Sequence, residues 1–150
     1  MSQLPVFPPL LTGLAAGPAN PVAIAVAQAE RGVEAGLLVW SQTEERLRAA
    51  LVLAPETHLE EAMAGIVACA VAMQNALGVL APPETSVHLD WTGELRLNGA
   101  HVGALRMICP ETDAKAEPLW MVVALDLTLR LPDNLEPGQT PNWTALNQEG

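Results

Sequence analysis

The chain is short of positive charge and of aromatic bulk. Lys115 is the only lysine among seven basic residues, which face 17 acidic ones, and the formal net charge is −10. Nucleic acids and anionic lipid surfaces are held by basic patches that release counterions or meet headgroups, so neither is an expected partner. Tyrosine is absent, Phe7 is the only phenylalanine, and the four tryptophans are dispersed. The core therefore has to be built from Ala, Leu and Val. That is feasible without staples, because a domain of about this length buries roughly 68–70% of its unfolded surface. Cysteine is limited to Cys69 and Cys109, with no Cys-x-x-Cys spacing, and the N-terminus lacks the basic start and apolar run of a secretory signal. Reduced thiols in the cytoplasm are the expectation. The apolar run over 62–72 is too short to cross a bilayer and has helical spacing, which argues against a membrane protein.

Proline, by contrast, is concentrated. Positions 5, 8, 9, 18 and 21 mark residues 1–21 as a proline-rich N-terminal arm leading into a single domain over 22–150. Asn20-Pro21 reads as N-cap and first position of an Ala-rich helix ending near Gly32 or Gly36. Residues 36–40 and 46–53 read as two strands joined by a tight turn at Glu44-Glu45. Thr57 and Glu60 have capping-box spacing before a long amphipathic helix that closes at Gly78. After Pro82-Pro83 come three short strands, 86–91, 94–97 and 100–108, joined by Thr92-Gly93 and Asn98-Gly99, the second a hairpin signal. Residues 119–131 form a further strand, and Thr144 to Glu149 can start a helix. The order predicts an α+β domain, a mostly antiparallel mixed sheet covered by helices on one face.

Three segments, in order, resemble the catalytic domain of the biotin- and lipoate-protein ligases, over roughly residues 35–149. Leu38-Val39-Trp40-Ser41-Gln42-Thr43 is similar to that family's strand ending in Gln-Thr. The family's Gly- and Arg-rich loop, which folds over biotin and the acyl-adenylate, is missing after Thr43, where Glu44-Glu45-Arg46 leads straight into the next strand. Leu89-Asp90-Trp91-Thr92-Gly93-Glu94 resembles the Lys-Trp-Pro-Asn-Asp segment, and 97–103 the hairpin that follows, whose second lysine precedes a glycine. Trp91, Asn98, Gly99 and Gly103 fit this pattern, whereas Asp90 and His101 stand at the two lysine positions. Val122-Val123-Ala124-Leu125-Asp126-Leu127-Thr128 lies where the family has a Gly-x-Gly-x-Asn strand, with Ala124 and Asp126 replacing both glycines, and Thr144-Ala145-Leu146 resembles the Thr-x-Leu opening the next helix.

The resemblance implies a class II synthetase-like fold, either abbreviated at its C-terminal end or continuing past Gly150. It implies a ligand site at Gln42, Thr43, Asp90, Trp91, Asn98, Gly99, His101 and Gly103, with an apolar pocket near Trp91, Leu105 and the 98–103 hairpin. Adenylation builds charge on the α-phosphate and pyrophosphate, and fixed cations there do most to lower the barrier. Asp90 repels a nucleotide, unless it is simply a solvent-facing strand residue. The expectation is a degenerate member that has lost ATP-dependent adenylation and binds or regulates. Two alternatives stay open: a transferase using a pre-activated thioester or adenylate, with His101, Cys109 or Lys115 as weak catalytic candidates, and a purely structural protein. No metal and no cofactor follow from the residues. ATP and biotin or lipoate are implied by the resemblance alone, a small acyl- or biotin-like ligand is the expected partner, and homodimerisation through sheet or helix faces is a further expectation.

Overall fold

The computed structural model describes residues 4–136 and 138–150. Seven strands, β1 (Thr12–Ala15), β2 (Leu37–Gln42), β3 (Arg46–Leu53), β4 (Val87–Leu89), β5 (Glu94–Leu97), β6 (Ala100–Ile108) and β7 (Met121–Thr128), form one sheet among the described residues. Their order is β1-β2-β3-β7-β6-β5-β4. Every neighbouring pair is antiparallel except β1 with β2. Short turns explain the antiparallel pairs. Thr43 closes the β2–β3 turn, its N–H donating to the Arg46 carbonyl at 2.9 Å and its hydroxyl accepting from the Arg46 N–H at 3.1 Å. Asn98 (φ 50°) and Gly99 (φ 85°) both occupy the left-handed region, which a two-residue hairpin between right-twisted strands requires.

Among the described residues four helices complete the fold: α1 (Pro21–Glu30), α2 (Leu59–Ala62), α3 (Ala64–Leu80) and α4 (Leu146–Glu149). At the start of α1 the Asn20 side chain accepts the Val22 N–H at 2.9 Å and Pro21 opens the helix, as the dipeptide predicts. The capping box does not form. His58 is the N-cap of α2 without a side-chain bond, because the Leu59 and Glu60 N–H groups donate to the Ala116 and Ala114 carbonyls at 2.8 and 3.1 Å. A neighbouring loop thus satisfies the donors that Thr57 was expected to cap. The helical stretch is divided at Met63 and runs on to Leu80 rather than Gly78. Gln74 and Asn75 interrupt its apolar character without adding charge, so Leu59–Leu80 is long and apolar enough, by length and composition, to cross a bilayer. In the fold its inner side lies on the sheet, where Ala70 and Leu77 are buried.

Two further expectations are corrected. Within the described part of the arm, residues 4–21, the chain turns at 9–10 and 17–19 and Thr12–Ala15 joins the sheet as a parallel edge strand, with Thr12 N–H to the Gly36 carbonyl at 2.9 Å and Ala16 N–H to that of Trp40 at 2.8 Å. All four side chains are exposed, so no alternation marks the strand. The helices also cover both faces, not one. Ala25 and Ala29 of α1 pack with Val39, Ala50, Val52 and Val122, whereas Ala70 and Leu77 of α3 pack with Leu95, Leu97, Val102, Leu105, Val123, Leu125 and Leu127. On β7 the alternation is direct: Val122 faces α1 and Val123 faces α3. A strand covered on both sides is apolar throughout, which is why Met121 to Leu125 are all buried. Between β5 and β6 the register shifts at Leu95/Arg96: Leu95 lies opposite Gly103 and Arg96 opposite His101, leaving Val102 as the extra residue of a bulge.

Candidate functional site

The α1 face is only partly covered, and the uncovered part is the candidate site. Rows of cross-strand neighbours run over it. Val52 and Val122 lie under α1, followed by Ala50, Ala124 and Arg106, then by Arg48, Asp126 and Ala104, with Arg46 beside Thr128 at the rim. Ahead of the α1 N-terminus Arg46, Arg48, Ala104, Arg106, Ala124 and Asp126, with Asn20, His101, Gly103 and Trp143, line a cavity of about 430 Å³. Three of the chain's six arginines meet here, against one aspartate, in a protein of net charge −10. The α1 N-terminus adds the positive end of its dipole, with no acidic residue in its first turn.

The contacts within the cavity are specific. Asp126 Oδ1 accepts from Arg46 Nε at 2.9 Å and pairs with Nη2 at 2.8 Å, while Oδ2 lies 3.4 Å from Arg48 Nε. Arg106 is exposed and has no ion pair among the described residues. His101 forms the end wall with Trp143, their ring centroids 4.5 Å apart and the planes at 62°. The wall is fastened through the backbone, His101 N–H to the Asn142 carbonyl and Thr144 N–H to the His101 carbonyl, both at 2.8 Å. The floor is small, Gly103, Ala104 and Ala124, which leaves the arginine heads free to close on a guest from two sides.

The sequence profile described as "Biotin/lipoate A/B protein ligase family" matches residues 7–150. The chain belongs to this family. A biotin protein ligase-like protein of unknown function from Silicibacter sp. tm1040 superposes with a TM-score of 0.88 at 53% identity, covering 97% of this chain and 63% of that one. The apo biotin protein ligase from Aquifex aeolicus gives 0.64 at 15% identity, over 92% and 59% of the two chains. The Leishmania major biotin protein ligase in complex with biotin gives 0.60 at 13%, over 95% and 64%. The last two establish the fold. The chain thus spans less than two thirds of the length of these solved relatives. No curated protein matches it significantly in sequence.

Against the ligase-family pattern, the expected site residues divide among three surfaces. His101 and Gly103 line the arginine cavity. Gln42 and Thr43 line a separate groove of about 920 Å³ with Phe7, Leu38, Trp40 and Leu47. Asp90 and Trp91 border an apolar groove of about 500 Å³ along α3, with Met63, Ile66, Val67 and Leu105. This is the apolar pocket expected beside Trp91 and Leu105, but the 98–103 hairpin takes no part in it. Trp91 itself is fully exposed. Asn98 and Gly99 line none of these cavities. Asn98 instead ties the hairpin down, its Oδ1 accepting from the Ser86 N–H at 3.0 Å and its Nδ2 donating to Glu149 at 2.5 Å.

Asp90 and His101, which the resemblance puts at the family's two lysine positions, do not share a cavity. The Asp90 carboxylate accepts from Arg96 Nε at 2.9 Å, and Arg96 Nη2 reaches Glu94 at 2.5 Å. The hydrogen bond that Arg96 donates to Asp90 holds its guanidinium more firmly protonated than usual. Glu94 stands 3.9 Å from His101 Nδ1, so the chain Asp90–Arg96–Glu94–His101 ends at the cavity wall. Of the other catalytic candidates, Cys109 accepts from the Glu111 N–H at 3.4 Å, Lys115 pairs with Glu60, and neither lines a cavity described above. Burial pushes the Cys69 thiol up, away from the nucleophilic thiolate. Sequence reasoning missed Asn20, Arg46, Arg48, Arg106, Asp126 and Trp143 as site residues. The available signal was Arg46 and Arg48 alternating with Leu47 and Ala49, two scarce cations on one side of a strand.

Proposed function

We propose that this ligase-fold protein binds a small acyl- or biotin-like molecule in the arginine cavity and does not make an adenylate from ATP. The reading is carried by the resemblance, which puts Asp90 and His101 where the family pattern has lysines, and by the pairing of Asp90 with Arg96 at 2.9 Å. Cations aimed at the transferring phosphate normally contribute most to such catalysis; loss of one comparable donor costs about 2.7–4 kcal/mol. The β2–β3 connection, a tight turn closed by Thr43 and Arg46, supports the same reading, since no phosphate-covering loop is present between those strands. A role in binding or regulation in the cytoplasm follows, with reduced thiols and without nucleic-acid or membrane partners. Homodimerisation belongs to the reading too, and the half-exposed Val67 and Val71 on α3 are consistent with a contact face.

A second reading is favoured by the three arginines: a transferase that accepts a preformed adenylate or thioester would use them on the phosphate it arrives with. Calorimetry with ATP, biotin, lipoate, octanoate and the corresponding acyl-adenylates separates the two. Binding of acid without ATP is expected. Saturable ATP binding at physiological concentration overturns the loss of adenylation, and acyl transfer from an adenylate to an added acceptor selects the second reading.

A further inference from the structure

The cavity has a residue that works against its apparent purpose. Asp126 projects its carboxylate among the arginines, at a position where the family pattern has a glycine and so no side chain. It stands directly across from Arg48 on one side and Ala104 on the other, and both of its oxygens are engaged by Arg46 and Arg48. Arg106 lies one row away, opposite Ala124, and has no carboxylate partner among the described residues.

Resting on the reading of this cavity as the ligand site, we propose that it contains an oxyanion seat between Arg48 and Arg106, above Ala104 and Ala124, and that Asp126 is the built-in counter-anion which sets its affinity. The ligand head is then a carboxylate or a phosphate. Geometry supports the pairing. Arg48 and Arg106 are on strands separated by β7 and one row apart, so their backbones stand about 12 Å apart, a gap that two long guanidinium side chains can close on one oxyanion. Arg48 is also the looser partner of Asp126, at 3.4 Å against 2.8 Å for Arg46, and can turn to a guest while Arg46 keeps Asp126 neutralised. The side chains of Arg46, Arg48 and Asp126 are 46, 45 and 38% exposed, and ion pairs in contact with water are held weakly enough to exchange. The small floor lets an anionic head come down to the sheet, with the body of the ligand running toward His101 and Trp143.

Two substitutions test the seat, with inorganic phosphate and octanoate as probes in calorimetry of the full chain. Asp126→Asn keeps shape and removes the competing charge, and is expected to tighten binding of the matching probe at least fivefold. Arg106→Ala is expected to weaken it at least tenfold. A response with phosphate alone assigns a phosphate head, a response with octanoate alone assigns a carboxylate head, and either supports the seat. Octanoate binding that is the same in all three proteins overturns the seat while leaving the cavity as a ligand site. Binding of neither probe by any of the three overturns both. Circular dichroism on each variant separates loss of binding from loss of fold.

Discussion

The two faces of the sheet are covered by helices of unequal reach. On one, the 17-residue α3 lies over β4, β6 and β7, and the side chains beneath it, including Leu95, Leu97 and Val102, are almost completely sealed. On the other, the 10-residue α1 lies over β2, β3 and part of β7, and beyond its first turn the same strands carry arginines, an aspartate and small residues. One strand serves both: β7 presents Val123, Leu125 and Leu127 to α3, and Val122, Ala124 and Asp126 to α1. Both sides hold sealed apolar side chains, but on the α1 side the sheet runs on past the helix into an open cavity. Where the short helix stops, the sheet is free to hold polar groups without a desolvation penalty.

Substitutions can break that division. Leu95→Ala, at a site with no exposure, is expected to destabilise by about 2.7–5 kcal/mol in urea denaturation. Arg106→Ala, on the other face, should stay within about 0.5 kcal/mol. Comparable losses from the two would show that the cavity side is as much a core as the α3 side. Next in size is Gly103→Ala, whose added Cβ would come within 2.3 Å of the Asp126 carbonyl and 2.7 Å of Leu127, wedging β6 away from β7. A loss of about 1–3 kcal/mol is expected, as for overpacking, and a variant that melts with the parent would refute so close an approach. Asn98→Ala removes the acceptor for Ser86 and the contact with Glu149, and should lower stability by about 1 kcal/mol while sparing the cavity arginines.

Smaller effects sharpen the contrast further. Because burial raises the Cys69 thiol, the folded state disfavours the thiolate. The associated stability is fully present below the ordinary thiol pKa and is lost as pH rises through the raised folded value. Cys69→Ala should therefore flatten the alkaline limb of the stability curve, and an unchanged limb would locate the effect elsewhere. Val71→Glu, on the half-exposed outer side of α3, is expected to change melting by no more than about 0.5 kcal/mol in the isolated chain. A large loss would mean that this surface is buried in solution.

How far the sequence could be read followed from how local each signal is. Asn20-Pro21, Asn98-Gly99 and the alternation of residues 46–53 are self-contained, and the helix start, the hairpin and the strand lie where they predict. Thr57 failed because its competitor for the helix N-terminus, the carbonyls of Ala114 and Ala116, lies more than fifty residues away. The double coverage of the sheet was hidden because the apolar run in β7 fits a buried strand without naming what covers each side. For the site, the family likeness named His101 and Gly103, which line the arginine cavity. It also grouped Gln42 and Asp90 with them, although the fold turns these to other surfaces. Arg106 and Asp126 were not legible, since their meaning comes only from lying in adjacent rows of paired strands.

The bulge opposite Leu95 and Arg96 bears on how change at this site can be traced. From Ala104 to Ile108, odd positions belong to the α3 side and even positions to the α1 side. Across Val102 that parity inverts, so odd-numbered His101 reaches the same cavity as even-numbered Ala104 and Arg106. A single residue thereby divides β6 into two reading frames, and the hairpin end can exchange its cavity-facing side chain without disturbing the frame that packs the core.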